Sequence, residues 1–161
     1  SDGWRWSGGV ESLQGRNHAD NYVNVAGKRG NLVDRQVQTA RSLNAFTELE
    51  VPLAEDWALI GGLTWLHSER DIDDKLKSSF NFVGLPTGFR DDSFTKSYSA
   101  RIGRIGLRHD LADGVQLFTN LSQSYEPPTF SELTGGAIVT ENEAQKATTL
   151  EAGIRFTQRD S

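Results

Sequence analysis

Cysteine and methionine are both missing from the 161 residues. Without cysteine there is no disulfide framework, no thiolate zinc site and no cysteine nucleophile. Without methionine, the piece is expected to be processed or excised from something longer. No apolar run approaches the roughly 18 residues of a membrane helix, and the opening residues do not read as a signal peptide. Basic blocks are lacking too. Seventeen Lys and Arg stand against 22 Asp and Glu, a formal charge of −5, so a dedicated nucleic-acid binder is excluded. Hydrophobic residues reach only 36% and mean hydropathy is −0.51. No capped segment with a 3.6-residue apolar period is found, so helices are also scarce.

What is present is period-two alternation, with turn chemistry between the runs. Trp4, Trp6, Gly8 and Val10 alternate with Arg5, Ser7, Gly9 and Glu11. Leu43, Ala45, Thr47, Leu49 and Val51 alternate with Asn44, Phe46, Glu48 and Glu50. A third run, Trp57 to His67, sets Trp57, Leu59, Leu63 and Trp65 on one face. A fourth, Tyr98 to His109, changes phase between Ile102 and Ile105, which predicts a bulge near Gly103. The fifth sets Val115, Leu117 and Leu121 against Gln116, Asn120, Ser122 and Ser124. In the sixth, Leu150, Ala152, Ile154 and Phe156 oppose Glu151, Gly153 and Arg155. That run stops in mid-pattern, and a sheet cut there exposes an edge.

The connections alternate in length. Pro52 to Asp56 and Asp110 to Gly114 are short, and the echo between Leu53-Ala-Glu-Asp-Trp-Ala-Leu59 and Leu111-Ala-Asp-Gly-Val-Gln-Leu117 places both turns on one side. Gln14 to Gln38, Arg70 to Lys96 and Glu126 to Lys146 are long. Compact soluble domains rarely carry several structureless loops above about 15 residues. Outer-membrane barrels pair short turns at one end with long loops at the other. Strand lengths near the roughly 9–11 residues that cross a bilayer at a tilt point the same way. So do aromatics near strand ends: Trp4, Trp6, Trp57, Trp65, Tyr98, Tyr125 and Phe156. Alternation alone also fits a soluble sandwich in which the apolar faces of strands three, five and six pack together and the module binds carbohydrate or another small ligand. A small, self-complete outer-membrane channel or enzyme is a third reading, disfavoured by the unfinished sixth strand.

Conventional site chemistry is thin. His18, His67 and His109 sit at three different places along the pattern, which does not build a shared metal site. Asp71-Ile-Asp-Asp74 lacks the glycine and distal glutamate of a calcium loop. There is no Gly-x-Ser-x-Gly elbow, and the glycine pairs do not open helices. No enzyme, resident cofactor or metal is expected. Pro127-Pro128 fixes the exit from strand five, because proline cannot donate to a ladder.

The stretch Leu117-Phe-Thr-Asn-Leu-Ser-Gln-Ser-Tyr-Glu-Pro-Pro-Thr-Phe-Ser-Glu-Leu133 resembles a signature of TonB-dependent outer-membrane receptors. Members typically run a strand of the type Y/F-x-N-x-S-x-S-F/Y into a loop carrying P-P, T/S-F and E-L. Leu43 to Leu53, Trp57 to Trp65 and Thr149-Leu-Glu-Ala-Gly-Ile-Arg155 resemble the family's other strands in the right order, although Thr64 stands where Arg is common. Asn120, Ser122, Ser124, Tyr125, Pro127, Pro128, Phe130, Glu132, Leu133, Glu151 and Gly153 carry the likeness as structural positions.

The resemblance implies an all-β fold: about six antiparallel strands from a large transmembrane barrel, with short periplasmic turns and long extracellular loops. Residues 1–161 would then be a partial barrel, without plug domain, TonB box or C-terminal strands. Barrels of this kind have about 22 strands. The parent would import a ferric siderophore or related chelate across the Gram-negative outer membrane, contacting lipid and, through regions outside this chain, the TonB complex. Haem is disfavoured, because Tyr125-Glu-Pro-Pro128 replaces the haem-receptor motif F-R-A-P. Phe80, Phe82, Phe89, Arg90, Tyr125 and Phe130 are the candidate substrate contacts. Aromatic rings and an arginine near the mouth suit an anionic aromatic iron chelate.

Overall fold

The computed structural model describes residues 3–134 and 142–157. In chain order the elements are β1 (Arg5–Val25), β2 (Lys28–Ala54), β3 (Trp57–Asp74), β4 (Ser78–Phe80), β5 (Pro86–Phe89), β6 (Phe94–Ala112), β7 (Val115–Glu126), α1 (Phe130–Thr134) and β8 (Gln145–Phe156). Six strands form one antiparallel sheet in the order β1-β2-β3-β6-β7-β8, a partial β-barrel, and β4 and β5 form a separate small hairpin. Neighbours in sequence are neighbours in space, as in a β-meander.

Register sorts the side chains into two faces. Trp6 pairs Leu49, Val10 pairs Ala45, Leu49 pairs Gly61, Gly61 pairs Ile105, Ile105 pairs Leu121 and Leu121 pairs Leu150. Cross-strand partners share a face, so every apolar run projects to the same side. No described residue covers that side: Val10 is 73% exposed, Ile105 52% and Leu150 75%. The sandwich expectation therefore fails, because the apolar faces of the six strands lie side by side in one sheet rather than stacked. Among the described residues only Val37, Ala58, Ile72, Tyr98 and Leu133 are buried hydrophobics. A water-soluble domain of this length would hide far more.

The exposed band has a definite height. On β2 it runs from Leu53 to Leu43, which is about 33 Å along the strand at ~3.3 Å per residue and about 25 Å after a tilt near 40°. Rings mark both rims. Trp57 stacks on His109 with centroids 4.2 Å apart near the short turns, and Trp65 stacks on His67 at 6.1 Å at the far rim. The opposite face is polar and bonded across strands. Arg5 reaches Glu50 at 2.5 Å, Arg108 reaches the same oxygen at 2.8 Å, and Arg104 pairs with Glu48.

The two predicted short turns lie together. Asp110 N–H donates to the Asp56 carbonyl at 2.9 Å. Gly114 has φ 76°, a left-handed conformation that glycine adopts without penalty. Two other expectations are corrected. Gln14 to Gln38 is a β-ribbon, not a loop: β1 and β2 stay paired to Val25↔Lys28, across a tip at Ala26 and Gly27 with φ 49° and 83°. No bulge interrupts β6 at Gly103, because β3–β6 pairing is continuous from Trp57↔His109 to Ile72↔Phe94. Instead β6 and β7 part there. Their ladder stops at Arg104↔Ser122, while β7–β8 pairing continues to Glu126↔Gln145.

Candidate functional site

Beyond the apolar band the strands run on, and three features gather at that end. The first is the β1–β2 ribbon. Its polar residues are bonded across the ladder: Asn17 Nδ2 donates to Gln38 Oε1 at 3.2 Å and Asn21 Nδ2 to Asp34 Oδ2 at 2.7 Å. Arg35 donates to both carboxylate oxygens of Asp20 at 2.9 Å, and that bond holds the Asp20 carboxyl below its ordinary value. The second is the β4–β5 hairpin, which docks on the ribbon. Lys75 N–H donates to the Arg35 carbonyl at 2.8 Å, and Asn31 Nδ2 to the Val83 carbonyl at 3.2 Å. Gly84, at φ 79°, is the pinch point. A Cβ there would lie 2.8 Å from Asn31 Cβ and 2.9 Å from Val23 Cγ2.

Ribbon and hairpin enclose a cleft of about 710 Å3. Asn21, Asp34, Gln36 and Gln38 form one wall, and Asp74, Phe80, Phe82, Arg90 and Asp92 line the rest. Gln36 and Gln38 are each 8% exposed, and Gln38 Nε2 donates to Gln36 Oε1 at 3.2 Å. The Asp74 carboxylate is structural. Its oxygens accept the N–H groups of Leu76, Lys77 and Asp92. Arg90 Nε donates to Asp92 Oδ1 at 2.9 Å. Asp34 meets the Asn21 amide and no cation among the described residues. Burial pushes its carboxyl upward, and Asp74 and Asp92 push the same way.

The third feature is the segment after β7. Pro128 is buried and Leu133 is fully buried. Between them Thr129 caps α1. Glu132 Oε2 accepts the Thr129 N–H at 2.7 Å and its hydroxyl at 2.8 Å, while Thr129 Oγ1 accepts the Glu132 N–H at 3.4 Å. This is a capping box, and it holds the Glu132 carboxyl below its ordinary value. The Arg70 guanidinium lies 6.0 Å from the centre of the Phe130 ring. This places the turn over the polar face of β3. Asn142 Nδ2 donates to the Glu132 carbonyl at 2.6 Å, tying the far side of the segment back.

The structure thus divides the six candidate contacts. Phe80, Phe82 and Arg90 line the cleft. Phe89 is 80% exposed on β5 and is not part of that lining. Phe130 belongs to the capped segment, whereas Tyr125 lies on β7 opposite Lys146, on the same face as Leu121 and away from the cleft. Asn120, Ser122, Ser124 and Glu151 lie on the polar face of β7 and β8, where Gly153 makes room for Phe118. Sequence reasoning missed Asn21, Asp34, Gln36, Gln38 and Asp92. Their signal was the period-two polar run Asp34, Gln36, Gln38, which apolar alternation does not register. Among the described residues no three His, Asp or Glu side chains are grouped to hold a metal ion.

One apolar face of bilayer height, one polar bonded face, and short turns opposite long extensions define a section of a transmembrane β-barrel wall. The chain belongs to the TonB-dependent receptor-like β-barrel family, whose model matches residues 2–161. Solved structures of similar fold include the copper transporter OprC, with a TM-score of 0.69 and 19% identity over 99% of this chain and 26% of that one. The ferric-catecholate import receptor Fiu from E. coli K12, in its closed form, gives 0.67 and 16% over 95% and 26%. The ferric yersiniabactin uptake receptor FyuA from Yersinia pestis gives 0.63 and 19% over 98% and 27%. The chain therefore spans about a quarter of the length of these structures. No curated protein sequence matches it.

Proposed function

We propose that this chain is part of the wall of an outer-membrane active transporter that binds and imports a ferric siderophore or a similar iron chelate, energised through TonB. The observation that carries the reading is the uncovered apolar band, ringed at both rims and backed by a polar wall, in a member of this family. Hydrocarbon is the medium that band fits, and the Gram-negative outer membrane is where such barrels reside. The cleft and the capped segment sit at the end opposite the short turns, which is the extracellular mouth. By their names Fiu and FyuA are importers of ferric chelates and OprC is a copper transporter, so two of the three support iron as the cargo. The reading involves no catalysis.

The test uses the whole receptor. Cells lacking it, supplied with a panel of ferric chelates as sole iron source, should lose growth on at least one. The loss should be reproduced by removing TonB. If growth on every chelate survives the deletion, the iron-import assignment fails.

A further inference from the structure

The extracellular cleft has the wrong charge for the commonest anionic chelates. Three carboxylates, Asp34, Asp74 and Asp92, line it against one guanidinium, and Arg90 is already paired with Asp92. The rest of the polar lining is amide and hydroxyl: Asn21, Gln36, Gln38 and Ser78 among others. Such a wall offers acceptors of partial or full negative charge and places for N–H and O–H donors. The three carboxylates do not form a bare-metal site, since the Asp74 oxygens are taken by backbone N–H groups and no metal-holding cluster occurs among the described residues. Phe80 and Phe82 add apolar surface beside the acceptors.

We propose that this cleft, between the β1–β2 ribbon and the β4–β5 hairpin, is a contact site selective for a neutral or cationic, donor-bearing ferric chelate, and that Asp34 is its charge-reading residue. The inference rests on the importer reading and deepens it by naming the class of cargo. A polyanionic chelate brought against these carboxylates meets like charge in a partly desolvated site, which costs affinity and lowers the encounter rate. An ammonium-bearing chelate gives Asp34 the cation it lacks. Its charge then becomes favourable where burial and the neighbouring carboxylates make it costly. Asp34 is fixed for this purpose by the Asn21 amide, and the cleft's width is set by the Gly84 pinch.

The full-length receptor, purified in detergent, is titrated with two ferric probes. One is a monocationic tris-hydroxamate carrying a free ammonium group, and the other a trianionic tris-catecholate. The cationic probe is expected to bind at least about tenfold tighter, with a preference that shrinks as salt rises. Asp34→Asn should cut that preference about tenfold, and Asp34→Lys should remove or reverse it. Gly84→Val, which wedges the hairpin away, should weaken the cationic probe while the barrel still folds by circular dichroism. Equal or tighter binding of the trianion overturns the proposal. So does failure of the cationic probe to bind, or a preference that Asp34→Lys leaves unchanged. Uptake of iron from both probes in cells with and without TonB is scored separately. Loss of TonB dependence sinks the importer reading, whatever the charge preference proves to be.

Discussion

Single positions in this sheet are held by backbone demands that side-chain chemistry alone does not reveal. Ala26 sits at φ 49° beside Gly27 at φ 83°. A two-residue turn with both φ values positive suits Asn-Gly, whereas an alanine there carries a steric cost of about 1 kcal/mol. Ala26→Asn should therefore firm the ribbon tip by roughly 0.5–1 kcal/mol, read as slower amide exchange at Asn24 to Arg29. Gly153 makes the opposite point. An added Cβ would meet Phe118 Cζ at 2.6 Å, and the Arg155 guanidinium stacks over that ring at 5.7 Å. Gly153→Ala should cost about 1–3 kcal/mol by overpacking. Because the clash is with one ring, Phe118→Leu in the same chain should recover part of the loss. Urea titration of the refolded receptor in liposomes measures both, and additive costs would refute the contact as the cause.

At the scale of elements, the hairpin that closes the cleft is bound by charges that titrate in opposite senses. Lys77 Nζ donates to Asp91 Oδ2 at 2.7 Å, and with Ser93 it holds the Asp91 carboxyl down to about 2. A depressed carboxyl contributes stability that is present above its unfolded value near 4 and is lost as pH falls through the folded one. Asp34 is raised, so its charge opposes folding at neutral pH, and protonation on acidification relieves that opposition. Amide protection of the β4–β5 hairpin should accordingly hold or rise as pH falls from neutral, then drop between about 4 and 2. Lys77→Gln should shrink the acid drop, the Ser93 bonds keeping part of it, and leave the earlier behaviour.

The β1–β2 ribbon, the cleft's other wall, was the least legible element in the sequence. The six transmembrane runs were readable because lipid demands strict alternation, as in Leu150, Ala152, Ile154 and Phe156. The ribbon was not, because it runs beyond the lipid band and its covered face is polar, with Gln36 and Gln38 buried under the hairpin. Its strands are specified by polar pairs such as Asn17 with Gln38 and Asp20 with Arg35, which only a known register exposes. The phase change at Ile102 to Ile105 misled for a related reason. β6 keeps its register with β3, and its apolar face simply ends where Arg101 and Ser99 reach the far rim. The cleft inherits both difficulties, since its ribbon wall lies in the segment read as a loop.

For the molecule as a whole, the outcome turns on whether the uncovered band meets hydrocarbon. Ile105 and Ser97 lie on the same face of β6, eight pairs apart, with partners Gly61 and Glu69 on β3. Ile105 is near the middle of the band, level with Leu49 and Leu121, whereas Ser97 lies past the Trp65–His67 rim. An arginine on the lipid face of a barrel costs about 2–4 kcal/mol at the midplane and about 0–1 near the interface. Ile105→Arg in the full receptor should therefore lower the yield of heat-resistant, membrane-extracted barrel sharply, and Ser97→Arg should leave it near the parent level. A soluble face would show no such depth dependence, because arginine is welcome anywhere water reaches. Equal tolerance at the two positions would mean that the band faces water or protein, and both the transporter and the mouth built at its far rim would lose their foundation.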